Sequence, residues 1–315
     1  MVTPAQASTP YPLVDSGAWT DVDSFHGWLD NNEIIFHGAR TGVMEKGESN
    51  MTISIWRIGG PVKIHKANIS QMCFSNGNLY YVQVDQISKK KNQFFGRYGS
   101  ETPLMDRTVY LPTCQVFPEG QDKSRQLLPL LPEHGYLDRG SLVGMSRIEN
   151  TPVQYFKKGS DRAVSLPFGR RDMEGGVKYS SFRNSYLFTS QFFNKETKVT
   201  SSPWPKDLAR ILWWMRSDGT VTSTTVQAPW NTSTEFHPTS AGLAISGYDK
   251  RIRKPTETDI GLFLLQPGGS VQKIASGYTR NVAVSPDGCQ LAFAHSEKVP
   301  LVSADVKLKV VRLCK

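Results

Sequence analysis

The residues of this chain that could do chemistry are few and lie far apart. Six histidines occur along the 315 residues without any close-spaced motif: His26, His37, His65, His134, His237 and His295. Such isolated histidines usually serve packing or hydrogen bonding, because a catalytic or metal site needs several groups within reach of one another. The sequence has no nucleophile elbow, P-loop, His-Glu-x-x-His motif or dinucleotide fingerprint. It therefore predicts no catalytic residue, no metal ligand and no cofactor.

Basic residues are the second group with a chemical implication. The net charge is +9 and the isoelectric point is about 9.3. The clusters predicted to contact a partner contain Lys89, Lys90, Lys91, Arg170, Arg171, Lys250, Arg251, Arg253 and Lys254. They favour an acidic protein surface, an anionic polysaccharide or a lipid headgroup, and the alternative is that each cluster is a solvated loop tip. No nucleic-acid-binding motif is present, so nucleic acid is not expected as a partner.

The elements that position these residues repeat along the chain. Six times, a short strand-like run leads through a turn into a second apolar run, as in residues 281–294. The apolar residues that restart after the turn are Ile34, Leu79, Leu142, Leu187, Leu243 and Leu291, separated by 45, 63, 45, 56 and 48 residues. Repeats of about 40 to 50 residues built from short strands are typical of a β-propeller. We therefore predict an all-β, six-bladed β-propeller.

The rest of each repeat supports this prediction. A bulky apolar run and a Gly- or Asp-containing turn follow the second strand, for example at 94–98, 153–156, 211–215 and 262–265. Residues 105–128 form a stretch too long for a simple connection, which predicts an insertion. The last repeat stops after a third strand at 308–313. An unpaired outer edge is a liability, so we expect residues 11–19 to supply the fourth strand and close the ring.

One copy resembles a known family. The residues Val284-Ser285-Pro286-Asp287-Gly288 followed by Leu291-Ala292-Phe293 resemble the WD-repeat-like units of TolB-type propellers of bacterial envelopes. The resemblance covers residues 281–294, and the Trp-Asp dipeptide of true WD repeats is absent from all six copies. It implies a propeller of an exported kind and carries no functional residue across.

The four cysteines indicate the compartment. Cys289 lies where the second strand of the last blade begins, and Cys314 lies where the third strand ends. Antiparallel neighbours bring these ends together, which predicts a Cys289–Cys314 disulfide. The remaining pair, Cys73 and Cys114, would tie the insertion to its blade. If both disulfides form, the protein belongs to an oxidising compartment. The alternative is that all four cysteines are buried free thiols.

The predicted organisation is one domain with a short leading segment. Residues 1–12 are rich in Ala, Ser, Thr and Pro and are predicted to be a flexible tether, whereas residues 13–315 are predicted to be a single propeller. No signal peptide is visible at the start, and no apolar run reaches the roughly 18 residues of a membrane span. We expect an exported protein, periplasmic or anchored to the outer membrane as a lipoprotein, whose leader has been removed.

An axial site is possible because a propeller gathers residues from different blades. Acidic residues near the repeat starts are candidates, although most suit turns: Asp21, Asp23, Asp30, Glu133, Asp138 and Glu235. Trp213 and Trp214 are a candidate carbohydrate platform. Adjacent strand residues face opposite sides, so one of the two belongs to the core.

Three functions remain open. The first is a non-catalytic envelope protein that holds a macromolecular partner, mainly a protein, on a propeller face. It would act as a scaffold component or as an inhibitor, such as the immunity protein of a secreted toxin. The second is a module that binds anionic glycans. The third is a propeller enzyme, such as a lactonase, lyase or glycosidase, with an axial site.

Overall fold

The structure is a computed structural model of the 315-residue chain, and the description below covers twelve ranges of residues. They are residues 11–21, 26–39, 51–85, 87–117, 125–141, 152–169, 173, 177–189, 209–227, 235–248, 260–298 and 306–314. Within them no α-helix is present, and none of these residues belongs to a helix long and apolar enough to cross a membrane.

The described residues form 25 β-strands. The first eight are Leu13–Trp19 (β1), Gly27–Trp28 (β2), Glu33–Ala39 (β3), Met51–Arg57 (β4), Val62–Ser75 (β5), Asn78–Val84 (β6), Lys91–Arg97 (β7) and Thr102–Pro103 (β8). The next eight are Val109–Tyr110 (β9), Gln115–Val116 (β10), Arg125–Pro129 (β11), Gly135–Ser141 (β12), Pro152–Lys157 (β13), Ala163–Gly169 (β14), Val177–Ser180 (β15) and Ser185–Thr189 (β16). The last nine are Ala209–Arg216 (β17), Val221–Gln227 (β18), Glu235–Thr239 (β19), Gly242–Tyr248 (β20), Ile260–Leu265 (β21), Val271–Ser276 (β22), Tyr278–Val284 (β23), Gln290–Ser296 (β24) and Lys307–Arg312 (β25).

Four-stranded antiparallel sheets are the repeating unit of the fold. Three of them consist of consecutive strands in sequence order: β11 to β14, β15 to β18, and β19 to β22. Each such unit is a run of three hairpins, which is how a propeller blade is built. Their third strands, β13, β17 and β21, contain the apolar runs predicted from the sequence. The chain is an all-β protein with the sheet units of a β-propeller.

Two further units share one long strand. The sheet β2 to β8 has seven strands, and β5 is a member of both halves. Residues Val62 to Ala67 of β5 pair with β4, residues from Gln71 onward pair with β6, and Ile69 pairs with both, opposite Met51 of β4 and Gln83 of β6. Beside it Asn68 has φ +61°, a left-handed conformation that asparagine tolerates better than most residues. The strand therefore passes from one unit to the next through one left-handed residue, without an intervening loop.

The last sheet joins the two ends of the described chain. Its order is β1-β25-β24-β23, and β1 runs antiparallel to β25 with Leu13 opposite Val311. Ser16 Oγ also donates to the Leu308 carbonyl at 2.8 Å. The N-terminal segment thus lies beside the third strand of the last repeat, as the sequence indicated.

The third repeat is the place where the sequence prediction was wrong. Its second strand is β12, which begins at Gly135 and ends at Ser141. Leu142, expected to start that strand, follows it and lies outside the described residues. The turn before β12 is formed by residues 131–134, and Gly135, the first residue of β12, has φ +107°. The sequence prediction ended the insertion at residue 128 but restarted the strand at Leu142, seven residues after Gly135.

The predicted insertion contains a small sheet of its own. Strands β9 and β10 pair with each other, with Gln115 opposite Tyr110. Thr113 Oγ1 donates to the Pro129 carbonyl at 2.9 Å, which fixes this hairpin against β11. The insertion is therefore packed between the second and third units.

The hydrophobic core is divided into clusters that lie between neighbouring sheets. One cluster joins Leu137 and Tyr155 to Tyr186 and Phe188, from the β11–β14 and β15–β18 sheets. Others join β15–β18 to β19–β22, and β19–β22 to the last sheet. A further cluster packs Trp28, Ile34 and Trp56 of the first unit on Leu308 and Val310 of the last sheet. Face-to-face packing of this kind brings β2, β5, β15, β19 and β23, first strands of five units, to one cavity.

Candidate functional site

A cavity lies where the first strands of the sheets converge. Its volume is about 450 Å³, and residues of β2, β5, β15, β19 and β23 line it. The hairpin turns that follow three of these strands also contribute, at 75–77, 181–182 and 285–286. We call it the axial cavity.

Lys178, Glu235 and His237 form a polar cluster in this cavity. Lys178 Nζ lies 3.0 Å from Glu235 Oε2, and His237 Nε2 lies 3.1 Å from the same oxygen. Lys178 Nζ also lies 3.2 Å from His237 Nε2 and 3.3 Å from His237 Nδ1. If the Nε2–H of a neutral His237 donates to Glu235, Nδ1 is the ring atom that can accept from Lys178. The Lys178 and Glu235 side chains remain 30% and 28% exposed, so a ligand can reach both.

The charges of the cluster follow from its contacts. Burial acts to raise the pKa of Glu235, but the Lys178 charge and the hydrogen bond from His237 outweigh it and hold that pKa well below its usual range. Burial, together with the Lys178 charge, lowers the pKa of His237 to about 4. At neutral pH Glu235 is therefore ionised and His237 is uncharged.

His26 is the second buried histidine of the axial cavity. Its Nε2 lies 3.2 Å from the Ala292 carbonyl, and an N–H at this position donates to it. Burial lowers the pKa of His26 to about 4, so the ring is neutral and Nδ1 carries a lone pair. No hydrogen-bond partner for Nδ1 is present among the described residues.

Ser180 and the aromatic side chains complete the lining. Ser180 is 7% exposed, and within the described part of the chain its Oγ has no hydrogen-bond partner. Trp28, Phe74 and Phe182 supply apolar surface to the same cavity. Trp28 is held in place by a hydrogen bond from Nε1 to the Ala283 carbonyl at 3.0 Å. A mainly apolar pocket with a few convergent polar groups is the usual form of a ligand site.

Metal binding has no support in the described ranges. In them, no three His, Cys, Asp or Glu side chains are grouped so that they could hold a metal ion. The axial cluster consists instead of one cation, one carboxylate and neutral imidazoles. Such a set can donate and accept hydrogen bonds, and it can orient a polar ligand.

The cysteines are paired as the sequence predicted. Cys73 bonds Cys114 with the Cα atoms 5.5 Å apart, and Cys289 bonds Cys314 with the Cα atoms 5.1 Å apart. The first bridge ties the insertion to β5. The second joins the start of β24 to the end of β25, beside the hydrogen bond from Leu313 N to the Cys289 carbonyl.

The predicted partner-binding residues are described only in part. Lys89, Lys90 and Lys91 are exposed at the turn between β6 and β7. The remaining six lie outside the described residues: Arg170, Arg171, Lys250, Arg251, Arg253 and Lys254. In the sequence, each of these six residues lies between two described strands.

Antiparallel order assigns each connection to one of two faces. Turns between first and second strands, and between third and fourth strands, leave the sheets on one side, which we call face I. Connections between second and third strands, and from one sheet to the next, leave on the other side, which we call face II. The Lys89–Lys91 turn joins a second to a third strand, and so does the segment between β20 and β21 that carries Lys250 to Lys254. Arg170 and Arg171 follow β14, the fourth strand of its sheet, and precede β15.

Other candidates from the sequence have structural roles. Trp213 and Trp214 both pack in hydrophobic clusters, so they form no carbohydrate platform. Asp21 contacts His37 at 3.3 Å, and Asp30 accepts a hydrogen bond from the Asn32 backbone. Asp138 is a buried residue of β12. Glu133 is exposed and Asp23 lies outside the described residues.

Of the five acidic candidates that the structure describes, Glu235 alone lines the axial cavity. Lys178 was missed, because a single lysine in a short strand reads as a solvent-exposed residue. No sequence signal links it to Glu235, which is 57 residues away.

Comparison with solved structures finds matches of low similarity only. No protein-family model matches it, and no curated protein matches it. TolB from Acinetobacter baumannii is 11% identical with a TM-score of 0.41, over 89% of this chain and 63% of the TolB chain. The phage phi92 endosialidase is 10% identical with a TM-score of 0.44, over 97% and 69%. The β-propeller domain of the Trilobed protease from Pyrococcus furiosus is 10% identical with a TM-score of 0.39, over 89% and 80%.

The chain therefore spans 63% of the length of the TolB structure. The class of protein is defined by its own sheets: it is a β-propeller protein with an axial cavity and two disulfides.

Proposed function

We propose that this protein is a non-catalytic, extracytoplasmic binding protein that holds a macromolecular partner, an acidic protein, on face II. The observation that carries the proposal is the shared face. In the sequence, all nine candidate basic residues lie in or beside segments that join a second strand to a third or one sheet to the next, and we propose that these segments share face II. Loops on a rigid scaffold are where binding commonly resides. A scaffold component and an inhibitor of a secreted toxin both fit this use of the fold.

The segments assigned to face II carry charges of both signs in the sequence. The same connections contain acidic residues beside the basic ones, including Asp85, Asp172, Glu174 and Asp249. Such a surface favours a partner with matching local patches over a uniformly acidic polymer. Electrostatic contacts of this kind mainly accelerate association and select the orientation of the complex.

The scaffold itself is proposed to be a closed ring of six blades. The seven-stranded sheet divides into two four-stranded units at Asn68, and four further four-stranded sheets follow. The pairing of β1 with β25 and the cluster around Trp28 and Leu308 are the contacts that would close the ring. Residues 13–315 would then be one domain, with residues 1–12 as a flexible tether.

The proposed location rests on the two disulfides. Bridges of this kind persist in oxidising compartments and are rare in the cytosol. A periplasmic protein, or an outer-membrane lipoprotein anchored through the tether, is the form we propose.

Matched charge reversals test this function. The variant Arg251→Glu, Arg253→Glu, Lys254→Glu changes face II, whereas Lys157→Glu, Lys158→Glu, Arg162→Glu changes the turn between β13 and β14 on face I by the same charge. Both proteins are immobilised beside the unaltered chain and exposed to extract of the source cells. An acidic protein retained by the unaltered chain and by the face I variant is then purified for kinetics.

We expect the face II variant to slow association at low salt, with the difference shrinking as the Debye length falls to about 8 Å at physiological ionic strength. Equal slowing by both variants, or no effect of either at any salt, contradicts the proposal. Retention on a heparin column that is lost only in the face II variant, without an acidic protein partner, favours the anionic-glycan function instead.

A propeller enzyme is the second candidate, and one observation favours it. Glu235 and His237 contact each other inside the axial cavity, with the carboxylate ionised and the imidazole neutral. Such a pair can orient and polarise a bound substrate, although the lowered pKa values of both groups make them weak general bases at neutral pH. Turnover of a lactone or glycoside substrate that is abolished in Glu235→Gln would establish this function and overturn the binding-protein proposal.

A further inference from the structure

We infer that two copies of this chain associate through β18, which pairs edge to edge with the same strand of a second copy. β18 is an outer strand, meaning the fourth strand of its unit, and the edge of such a strand presents unpaired backbone N–H and C=O groups. Among the described residues no strand lies beyond β18, and Thr222 to Thr225 are exposed. The contact uses the edge of a sheet and is independent of any partner on face II.

The other outer strands that the structure describes carry features that hinder such pairing. Proline cannot donate to a ladder, charged side chains disfavour a second strand, and irregular register distorts the edge. β1 and β22 each combine a shift in register with a charged residue, Asp15 and Lys273, and β14 combines one with Pro167. The first part of β5 has shifts in register and contains Lys63 and Lys66, and β8 is only two residues long.

β18 has none of these features. It pairs with β17 over all seven of its residues without a shift in register. Its sequence, Val-Thr-Ser-Thr-Thr-Val-Gln, contains no charge and no proline, and is rich in the β-branched residues that favour extended pairing. The regular, uncharged edge is therefore open to a further strand.

The hairpin determines which backbone groups of β18 are free. Arg216 N donates to the Thr220 carbonyl, so these two residues form a hydrogen-bonded pair. Hydrogen-bonded and non-hydrogen-bonded pairs alternate along an antiparallel ladder. Thr222, Thr224 and Val226 therefore direct their backbone groups toward β17. The alternate residues direct theirs outward: Val221, Ser223, Thr225 and Gln227.

The placement of the outward groups fits a second copy of the same strand. They are symmetric about Thr224, so antiparallel pairing around a two-fold axis at that residue engages all of them at once. Ser223 then lies opposite Thr225 of the second copy, and Thr224 lies opposite its own equivalent. Threonine and serine are favourable cross-strand neighbours, and no like charges within the strand face each other. A two-fold contact of this kind closes the assembly at a dimer.

Sedimentation equilibrium of the full chain measures the association. We expect the average mass to rise from 35.2 kDa toward twice that value with concentration, because a single strand pair is a small interface and gives a weak dimer. Added salt should strengthen the dimer, since it screens the repulsion between two chains of net charge +9. Amide hydrogens of residues 221–227 should exchange more slowly at the higher concentrations, because the outward N–H groups gain partners.

Two variants locate the contact. Thr224→Lys places two like charges opposite each other at the axis, whereas Ala163→Lys adds the same charge to the outer strand β14. Thr224 and Ala163 are both exposed, so both variants should fold. We expect Thr224→Lys to weaken the dimer about tenfold and Ala163→Lys to leave it unchanged.

Three results would overturn the inference. They are a chain that stays monomeric at every concentration and salt, a dimer in which the amide exchange of residues 221–227 is unchanged, and equal affinity of the dimer in both variants. A monomer that instead pairs β18 with an extended segment of another protein overturns it as well. Each leaves the face II proposal intact, because that proposal is tested with residues outside β18.

Discussion

Lys178 and Glu235 belong to different sheets, and yet Lys178 Nζ lies 3.0 Å from Glu235 Oε2. The contact links β15 to β19 at the centre of the molecule. It couples two sheets through a charge pair, in addition to their apolar packing.

The first prediction concerns this pair. Lys178→Met leaves Glu235 ionised without its cation, and we expect a loss of about 1–3 kcal/mol in the free energy of unfolding. The double variant Lys178→Met, Glu235→Gln should recover part of the loss, because no uncompensated charge remains. Urea denaturation gives the free energy of unfolding of the unaltered chain, of Lys178→Met, of Glu235→Gln and of the double variant. The four values together give the coupling energy between the two side chains. A coupling energy of zero would mean that the two side chains do not stabilise each other.

The second prediction concerns acid stability. Burial lowers the pKa of His26 and of His237 from 6.5 to about 4, so below pH 6.5 the unfolded chain takes up protons before the folded chain does. The stability that these histidines confer is complete above pH 6.5 and is lost as the pH falls toward 4, by up to about 1.4 kcal/mol per pH unit for each. Burial lowers the pKa of His65, His134 and His295 as well, which adds to the same trend.

Chemical denaturation at a series of pH values measures that loss. Histidine ring signals in NMR spectra should show two groups titrating near pH 4. A free energy of unfolding that stays constant between pH 6.5 and 4.5 would contradict the assignment of His26 and His237 as buried and neutral.

The third prediction concerns the Cys289–Cys314 bridge. Its removal in Cys289→Ser, Cys314→Ser frees a loop of 25 residues, and we expect the unfolding free energy to fall by about 3–4 kcal/mol in the chain-entropy picture. Peptide mapping under non-reducing conditions verifies the pairing in the unaltered protein. Recovery of four free thiols from native protein would refute both bridges and the extracytoplasmic location.

The fourth prediction concerns the N-terminal strand. Deletion of residues 1–20 removes β1 and leaves β25 as an unpaired edge, so the last sheet should exchange its amide hydrogens faster and the protein should tend to associate. Deletion of residues 1–10 keeps β1 and is the matched control. Hydrogen exchange of residues 290–296 and 307–312 reports the difference. Equal protection in both truncated chains would show that β1 does not support the sheet.

Much of the fold was predictable because its signals are local. Glycine and aspartate turns mark the hairpins, so the third strands and the Cys289–Cys314 pairing followed from the sequence. The error at Leu142 arose in the repeat that follows the insertion, where β12 begins at Gly135 rather than after it. The shared strand β5 was not foreseen either, because a connection without a loop has no turn residue to reveal it.

The sequence predicted an axial site only as one of several alternatives, without showing which residues would form it. Glu235 and His237 were among many scattered acids and histidines, and Lys178 was not among the candidates. What assembles them is the position of β15 and β19 around the centre, which depends on the packing of whole sheets. The hydrogen-bond needs of His26 Nδ1 and Ser180 Oγ are likewise properties of burial that a sequence does not display.

The strand β5 has a mechanical consequence. Elsewhere in the described chain the last strand of one sheet and the first strand of the next are separate strands, joined by as little as one residue, Gly277 between β22 and β23. Here one continuous backbone of 14 residues, hydrogen-bonded to β4 at one end and to β6 at the other, spans both units. A force that pulls these two units apart has to shear ladder hydrogen bonds along β5. The first two units should therefore respond to stretching as one body and be among the last parts of the molecule to separate.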